Sequence, residues 1–179
     1  MKSGCYDSLV ALVLFCKTVN GSVPESEEQV LAACETALRL APAEYLPDLP
    51  VSTSLLGVQD WYPFEHAAWP IGESIRRAFS HHPHLKKRTT LISKVAEVAT
   101  CRNLRRGRQS FVMALGFVGA QQFAKRLVPF LRDSDVDGQV LDTLLKMKAG
   151  GYAQAVAPLA HSDKAWIRRL AKKYLERFG

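Results

Sequence analysis

The sequence has little of what marks a membrane, secreted or metal-binding protein. Its longest apolar run, residues 9–16, is far shorter than the roughly 20 residues that cross a bilayer. The flanks of this run lack the basic region and the small-residue cleavage site of a signal peptide. The spacings of the four cysteines match neither a zinc motif nor a compact disulfide framework: Cys5, Cys16, Cys34 and Cys101. These absences favour a cytoplasmic protein with reduced cysteines and no membrane contact.

Motifs for catalysis and cofactor binding are also missing. The chain has no glycine-rich phosphate loop, no nucleophile elbow and no helical pair of metal-binding histidines. It also has no sustained alternation of apolar and polar residues, so strands are not expected. The sequence therefore favours an all-α, non-catalytic protein without a cofactor. Enzymatic activity stays open as an alternative, because catalytic geometry need not leave a sequence motif.

Acidic residues are scarce in the second half of the chain. The net charge of +7 divides into −5 for residues 1–84 and +12 for residues 85–179. At 179 residues the chain is expected to form one domain, with a divergent acidic N-terminal part and a basic C-terminal part. Such asymmetry indicates either an anionic partner for the basic part or internal neutralisation by the acidic part.

A repeat of about 30 residues is present in the C-terminal part. Pro129 and Pro158 lie 29 positions apart, and Gly119, Gly150 and Gly179 recur at nearly the same interval. Self-similarity with this period is typical of stacked helical repeats. Two segments share one pattern, Arg108-x-x-Phe111-x-x-Ala114-Leu115-x-x-Val118-Gly119 and Arg168-x-x-Ala171-x-x-Tyr174-Leu175-x-x-Phe178-Gly179.

This pattern resembles the second helix of a HEAT repeat, most clearly over residues 104–179. The resemblance implies an α-solenoid of antiparallel helix pairs, about ten helices in all. It also implies a kinked first helix in each pair, at Pro129 and Pro158, and a concave side lined by second helices. The leucines of the apolar stripe are expected in the core: Leu115, Leu127, Leu131, Leu144, Leu170 and Leu175.

Local signals predict further boundaries. Ser22 and Glu25 have the spacing of a capping box, and the three prolines of residues 42–52 predict an extended connector. Because Pro63 and Pro70 interrupt any long helix, two short helices are expected near 53–60 and 65–79. A helix is expected over 85–100. The side chains at the later turns are read as N-caps: Asp133, Ser134, Asp135, Ser162 and Asp163.

Two basic clusters on predicted second helices are the main candidates for partner binding. Together they would form a positive groove on the concave side, and their members are Arg105, Arg106, Arg108, Arg168, Arg169, Lys172 and Lys173. The aromatic residues Trp61, Tyr62 and Trp69 are secondary candidates. His81, His82 and His84 surround a proline and are interpreted as a solvated turn, although metal binding there stays open.

The expected function is that of a protein-binding module, such as an adaptor, an inhibitor or an immunity-type protein, that recognises an acidic partner surface. This follows from the resemblance, since most HEAT proteins act through groove-mediated protein contacts. The alternative is nucleic-acid binding through the basic part. Some HEAT-like proteins, including the alkylpurine DNA glycosylases, hold duplex DNA on a basic concave face, but their catalytic residues cannot be placed on this chain.

Overall fold

The structure, a computed structural model, describes residues 23–49 and 60–179, and within these ranges it is helical and without strands. The predicted all-α class is thus confirmed. Eight α-helices lie in the described ranges: α1 Glu27–Leu40, α2 Pro63–His81, α3 Thr89–Ala99, α4 Gln109–Val118, α5 Ala124–Leu127, α6 Asp137–Lys146, α7 Ala153–Val156 and α8 Ala165–Phe178. Five 3₁₀ helices accompany them: η1 Pro83–Lys87, η2 Arg102–Arg108, η3 Gln121–Phe123, η4 Val128–Arg132 and η5 Ala157–His161.

Helix α1 begins one turn later than its predicted capping box. The Ser26 hydroxyl accepts a hydrogen bond from the Gln29 amide, and the Gln29 side chain accepts one in return from the Ser26 amide. This is the same reciprocal motif that Ser22 and Glu25 suggested, but Glu25 lies outside the helix and Ser22 lies outside the described residues. The helix buries Val30, Cys34 and Ala37. The predicted helix near 53–60 is likewise outside the described ranges.

Helix α2 matches the helix predicted near 65–79, and it continues through Pro70 and extends a few residues further at both ends. Pro63 occupies the first turn, where its missing N–H costs nothing, and Pro70 lies inside the continuous helix. Pro70 is exposed, so the carbonyl that loses its helical donor faces the solvent side, where water can replace the bond. The opposite side of α2 is buried, including Ile71, Ile75 and Phe79.

Two later prolines mark changes of helix type. Pro129 lies in η4 directly after α5, and Pro158 lies in η5 directly after α7. In both segments an α-helical turn passes into a 3₁₀ turn at the proline, since proline cannot donate the α-helical hydrogen bond. Gly119 ends α4 in the left-handed conformation, with φ 66°, as expected for a glycine C-cap.

The long helices contact one another in a regular order. Helices α2, α4, α6 and α8 form a series in which each packs against the next, and α1 packs against α3 on the other side. Each series member also packs against the helix or 3₁₀ segment that precedes it, as α4 does against α3. In the described ranges no helix is both long enough and apolar enough to cross a membrane.

The predicted core leucines divide into two groups. Leu115, Leu127, Leu131 and Leu144 are buried. Leu170 and Leu175 are partly buried and pack against the core from α8. Because α8 is the last member of its series, it has a neighbour on one side in the described part of the chain, and its flanking leucines keep some contact with solvent.

Candidate functional site

The connections between the helices meet in a cluster of charged side chains. We call this cluster the arginine–carboxylate network. Four arginines come from η2, and four carboxylates come from other segments, so their formal charges cancel. The members are Arg102, Arg105, Arg106, Arg108, Asp48, Glu65, Asp133 and Asp135.

Arg105 is at the centre of the network and is completely buried. Its Nε and Nη2 atoms donate to the two oxygens of Asp135, at 3.3 and 3.2 Å. Its Nη1 donates to the Pro47 carbonyl at 2.6 Å, and Nη2 also donates to Asp48. Burial lowers the pKa of Arg105, but the hydrogen bonds to Asp135 and Asp48 outweigh this effect and raise it above its usual range. Arg105 therefore stays charged at neutral pH, as arginines in proteins do.

The backbone of Arg105 adopts an unusual conformation. Its φ is 49° and its ψ is −129°, a combination that residues with a Cβ rarely adopt. Such strain costs on the order of 1–3 kcal/mol and persists where surrounding contacts hold it in place. Here the contacts of the guanidinium with Asp135 and Pro47 provide that support.

Arg108 forms a second buried pair within the network. Its Nη2 donates to Asp133 at 2.6 Å, and its Nε donates to the Arg105 carbonyl at 3.1 Å. Asp133 also accepts a hydrogen bond from the Asp135 amide at 3.2 Å. The Arg108 side chain thereby joins η2 to the turn before α6.

Glu65 connects the start of α2 to η2. This carboxylate is completely buried. It accepts hydrogen bonds from the Tyr62 amide at 2.6 Å and from the Arg106 amide at 2.9 Å. The Arg106 guanidinium lies 3.6 Å from Glu65 and 3.8 Å from Asp135. These hydrogen bonds tie the first turn of α2 to η2.

Aromatic rings surround the arginines. The Arg105 guanidinium lies 5.2 Å from the centre of the Tyr45 ring and 5.8 Å from that of Tyr62. The Tyr45 hydroxyl donates to Asp135 at 3.0 Å. Partial burial and the nearby Asp135 raise the pKa of Tyr45, so its hydroxyl keeps its proton and acts as a donor at neutral pH.

The connector at residues 42–49 has neither helix nor strand and bends at Ala43 and Glu44, so the predicted loop is confirmed for that part of 42–52. It is held almost entirely by polar contacts with η2 and its neighbours. The Asn103 side chain donates to the carbonyls of Pro42 and Ala43, at 2.9 and 3.1 Å. The Tyr62 hydroxyl donates to the Pro47 carbonyl at 3.0 Å. The connector therefore depends on the network more than on apolar burial.

The two predicted basic clusters differ in burial. Arg105 and Arg108 are buried and Arg106 is largely buried, all of them next to carboxylates. Of the two outcomes left open by the charge asymmetry, internal neutralisation by the acidic part describes Arg105 and Arg106, which pair with Asp48 and Glu65. Arg108 pairs instead with Asp133 of the basic part. Arg169, Lys172 and Lys173 are exposed on α8, and Arg168 is half-buried.

Arg168 has a local structural contact. Its Nη1 donates to the carbonyls of Ser162 and Asp163, at 2.7 and 2.8 Å. It thus closes the turn before α8 and is less available to a partner than Arg169 and the two lysines. The Ser162 hydroxyl accepts from the Lys164 amide at 3.2 Å.

The secondary aromatic candidates lie at the start of α2. The Trp61 ring lies 5.4 Å from His66 and 5.7 Å from the Arg106 guanidinium. Tyr62 stacks on Phe64 at 5.3 Å. Trp69 lies about two turns further along the helix and is half-buried. Trp61 and Tyr62 therefore adjoin the network, whereas Trp69 is separate from it.

The carboxylates of the network were missed by the sequence interpretation. Asp133 and Asp135 were expected to cap α6, but Val136 is the N-cap residue and no side chain caps it. Their side chains bind Arg105 and Arg108 instead. One sequence signal for this network was available. Several arginines of residues 102–108 precede the N-terminus of α4, where positive charge is unfavourable, and this indicated that carboxylates were needed nearby.

The Cys34 thiol is buried, and three histidines lie near one another around Pro83. Burial raises the pKa of the Cys34 thiol to about 12, so it stays protonated and unreactive. The rings of His81 and His82 lie 6.4 Å apart, and those of His82 and His84 lie 6.0 Å apart. Among the described residues, no group of three or more histidine, cysteine or acidic side chains is arranged to hold a metal ion.

Comparison with known proteins finds no matching family model, no matching curated protein and no matching solved structure.

Proposed function

We propose that the chain is a short, HEAT-like α-solenoid that binds an acidic protein surface without catalysing a reaction. The packing of α2 on α4, α4 on α6 and α6 on α8 supports the solenoid, because successive second helices pack side by side in such stacks. The helix or 3₁₀ segment that precedes each of these four helices would form the second layer of the solenoid. This proposal keeps the expected partner class but moves the binding surface from the groove to α8.

The outer face of α8 is the observation on which the proposed function rests. Trp166, Arg169, Lys173 and Arg177 follow one another at spacings of three and four residues, so they share one side of the helix. All four are exposed, and Lys172 lies beside them. No ion pair joins Arg169, Lys172, Lys173 or Arg177 to a carboxylate of the described residues, although Glu176 lies on the same face. We call these residues, without Glu176, the α8 cationic face.

A partly exposed tryptophan strengthens the assignment to a protein interface. Trp166 is 39% exposed, and its inner edge packs over Gly138, where an added Cβ would meet the ring. Tryptophan and arginine are the residue types most enriched among the residues that dominate protein-binding energies. The rigid ring of Trp166 provides an apolar contact, and the exposed cations of the α8 cationic face surround it with positive charge.

The distribution of charge favours a protein over a nucleic acid. Specific binding of a duplex commonly uses several phosphate contacts along an extended basic track. Here Arg105 and Arg108 are buried in the network and do not extend such a track. On the intervening helix α6, Asp142 is paired with Lys146 at 2.6 Å. The α8 cationic face is therefore a compact patch, which fits one acidic patch on a protein.

The proposed function is tested with matched charge reversals. The test variant is Arg169→Glu/Lys172→Glu/Lys173→Glu. The control is Arg77→Glu/Lys87→Glu/Lys125→Glu, which makes the same change in net charge at exposed positions on other elements. Circular dichroism and thermal melts establish that both variants fold. Each protein is then used to capture partners from nuclease-treated and untreated native lysate.

We expect the wild-type chain and the control to retain one protein partner after nuclease treatment, and the test variant to lose it. Binding should weaken as salt rises, because the attraction is between exposed charges. Equal retention by both variants would show that α8 is not the binding face. Capture that disappears with nuclease would favour the nucleic-acid alternative.

A further inference from the structure

A small cleft lies beside the arginine–carboxylate network and is distinct from the α8 cationic face. It opens between η2 and η4 and has a volume of about 290 Å³, near the lower end of the range for small-molecule sites. Its lining combines two arginines, one carboxylate and an apolar floor: Arg102, Arg132, Asp133, Pro129 and Phe130.

The cleft has a local surplus of positive charge. The Asp133 carboxylate is already bound by the buried Arg108 at 2.6 Å, so its charge is compensated within the wall. Arg102 is 68% exposed and lies 3.7 Å from Asp133, a looser contact. Arg132 is exposed and has no ion pair with a described carboxylate. Three guanidinium groups thus accompany one carboxylate, a local excess of two positive charges, because the other carboxylates that balance the network, Asp48, Glu65 and Asp135, do not line the cleft.

The apolar floor gives the cleft a flat surface next to these charges. Phe130 is half-buried and Pro129 is exposed. The Arg108 guanidinium lies behind this floor, 4.9 Å from the centre of the Phe130 ring. Its Nη1 atom is buried and has no hydrogen-bond partner among the described residues. A buried guanidinium nitrogen without an acceptor is unusual, and an anion close to the cleft would reduce its electrostatic cost.

We propose that this cleft binds a phosphate monoester attached to a flat apolar group. A phosphate monoester carries close to two negative charges at neutral pH, which matches the surplus of two positive charges. Two arginines can bind its oxygens through paired N–H donors, a geometry that lysine does not offer. The apolar group would lie on Phe130 and Pro129. The same phosphate chemistry is found on a free small molecule and on a phosphorylated tyrosine of a partner.

The proposal is tested by calorimetric titration of the full chain with phenyl phosphate at neutral pH. The test variants are Arg102→Gln and Arg132→Gln, both at exposed positions where the fold should tolerate the change. Arg77→Gln is the control, because it removes one exposed arginine from α2. Benzoate serves as a carboxylate of similar shape, and methyl phosphate serves as a phosphate without the ring. A short phosphotyrosine peptide is titrated in parallel.

We expect saturable binding of phenyl phosphate with a dissociation constant below about 1 mM. Each test variant should weaken it roughly tenfold or more, since a charge-assisted hydrogen bond is lost, whereas Arg77→Gln should leave it unchanged. Methyl phosphate should bind more weakly than phenyl phosphate. Tighter binding of the peptide would assign the phosphate to a partner protein, and equal or weaker binding would assign it to a small molecule.

Three results would overturn the proposal. The first is no saturable binding of phenyl phosphate up to about 10 mM. The second is binding that neither Arg102→Gln nor Arg132→Gln weakens, which would place the ligand elsewhere. The third is benzoate binding as tightly as phenyl phosphate, which would mean that the cleft does not select a dianion.

Discussion

At the scale of the residue, Arg105 is bound by two carboxylates in very different surroundings. The side chain of Asp135 is 5% exposed, whereas that of Asp48 is 64% exposed. An ion pair in the interior is costly to break, because the remaining charge is left without water or a partner. An ion pair at the surface contributes little, since water can solvate both groups after the pair separates. The two carboxylates should therefore differ in their effect on stability.

We expect Asp135→Asn to lower the free energy of unfolding by about 3–5 kcal/mol. Asp48→Asn also removes a carboxylate charge that pairs with Arg105, and it should lower the free energy of unfolding by no more than about 1 kcal/mol. Urea denaturation of the two variants measures the difference. Equal losses would show that Arg105 does not depend on its buried partner.

At the scale of the element, glycines allow α2 to approach the segment that follows α3. An added Cβ on Gly107 would lie 2.9 Å from the Glu65 Cα and 3.0 Å from the Ala68 Cβ. An added Cβ on Gly72 would lie 2.1 Å from the Ser110 hydroxyl oxygen. These close approaches place η2 against the first turn of α2, which is what brings the Arg106 amide within reach of Glu65.

Gly107→Ala should therefore destabilise the protein by about 1–3 kcal/mol, as expected for overpacking against backbone that cannot move easily. The control is Gly150→Ala, where the new Cβ meets the ring of Phe178 at 3.2 Å, near the surface. Gly150→Ala should change the free energy of unfolding by no more than about 0.5 kcal/mol. Thermal melts of both variants decide the matter, and equal melting temperatures would mean that α2 can shift to accept the methyl group.

At the scale of the whole molecule, the helices differ in how completely they are enclosed. Helix α4 contacts α2, α3 and α6, and its residues Phe111, Val112 and Leu115 are fully buried. Helix α8 packs against α6 and the segment just before it. A helix with fewer neighbours in contact with it gains less from packing.

Native-state hydrogen exchange should show this difference. We expect the backbone amides of α8 to exchange through a local opening of lower free energy than the amides of α4, which should exchange near the free energy of global unfolding. The dependence of exchange on low concentrations of urea distinguishes the two modes. A single opening free energy for both helices would show that the chain unfolds as one unit.

The fold was more predictable from the sequence than the site was. Apolar residues at helical spacing correctly placed Leu115, Leu127 and Leu144 in the core, since burial follows directly from periodicity. The partners of Asp133 and Asp135 did not follow in this way. A carboxylate after a helix suits both an N-cap and an ion pair, and the arginines that bind these two lie 25 to 30 positions earlier in the chain.

The location of the exposed cations was also only partly predictable. The spacing in α8 predicted a basic stripe, and Arg169, Lys172 and Lys173 are exposed there. Arg105, Arg106 and Arg108 of η2 are equally basic but are buried or largely buried, because the close approach at Gly107 and the unusual backbone at Arg105 turn them towards the carboxylates of the network. Neither feature has a local sequence signal. Whether any of these residues binds a partner stays a prediction.

The hydrogen bond between Tyr45 and Asp135 has a consequence for how the chain folds. It joins residues 90 positions apart, whereas the Arg105–Asp135 and Arg108–Asp133 pairs join residues 30 and 25 positions apart. Folding rates fall as the average sequence separation of native contacts rises. The network should therefore form late, after the local helix pairs. Once formed, the network should link the connector at residues 42–49 to the turn before α6. We therefore expect these two segments to unfold together.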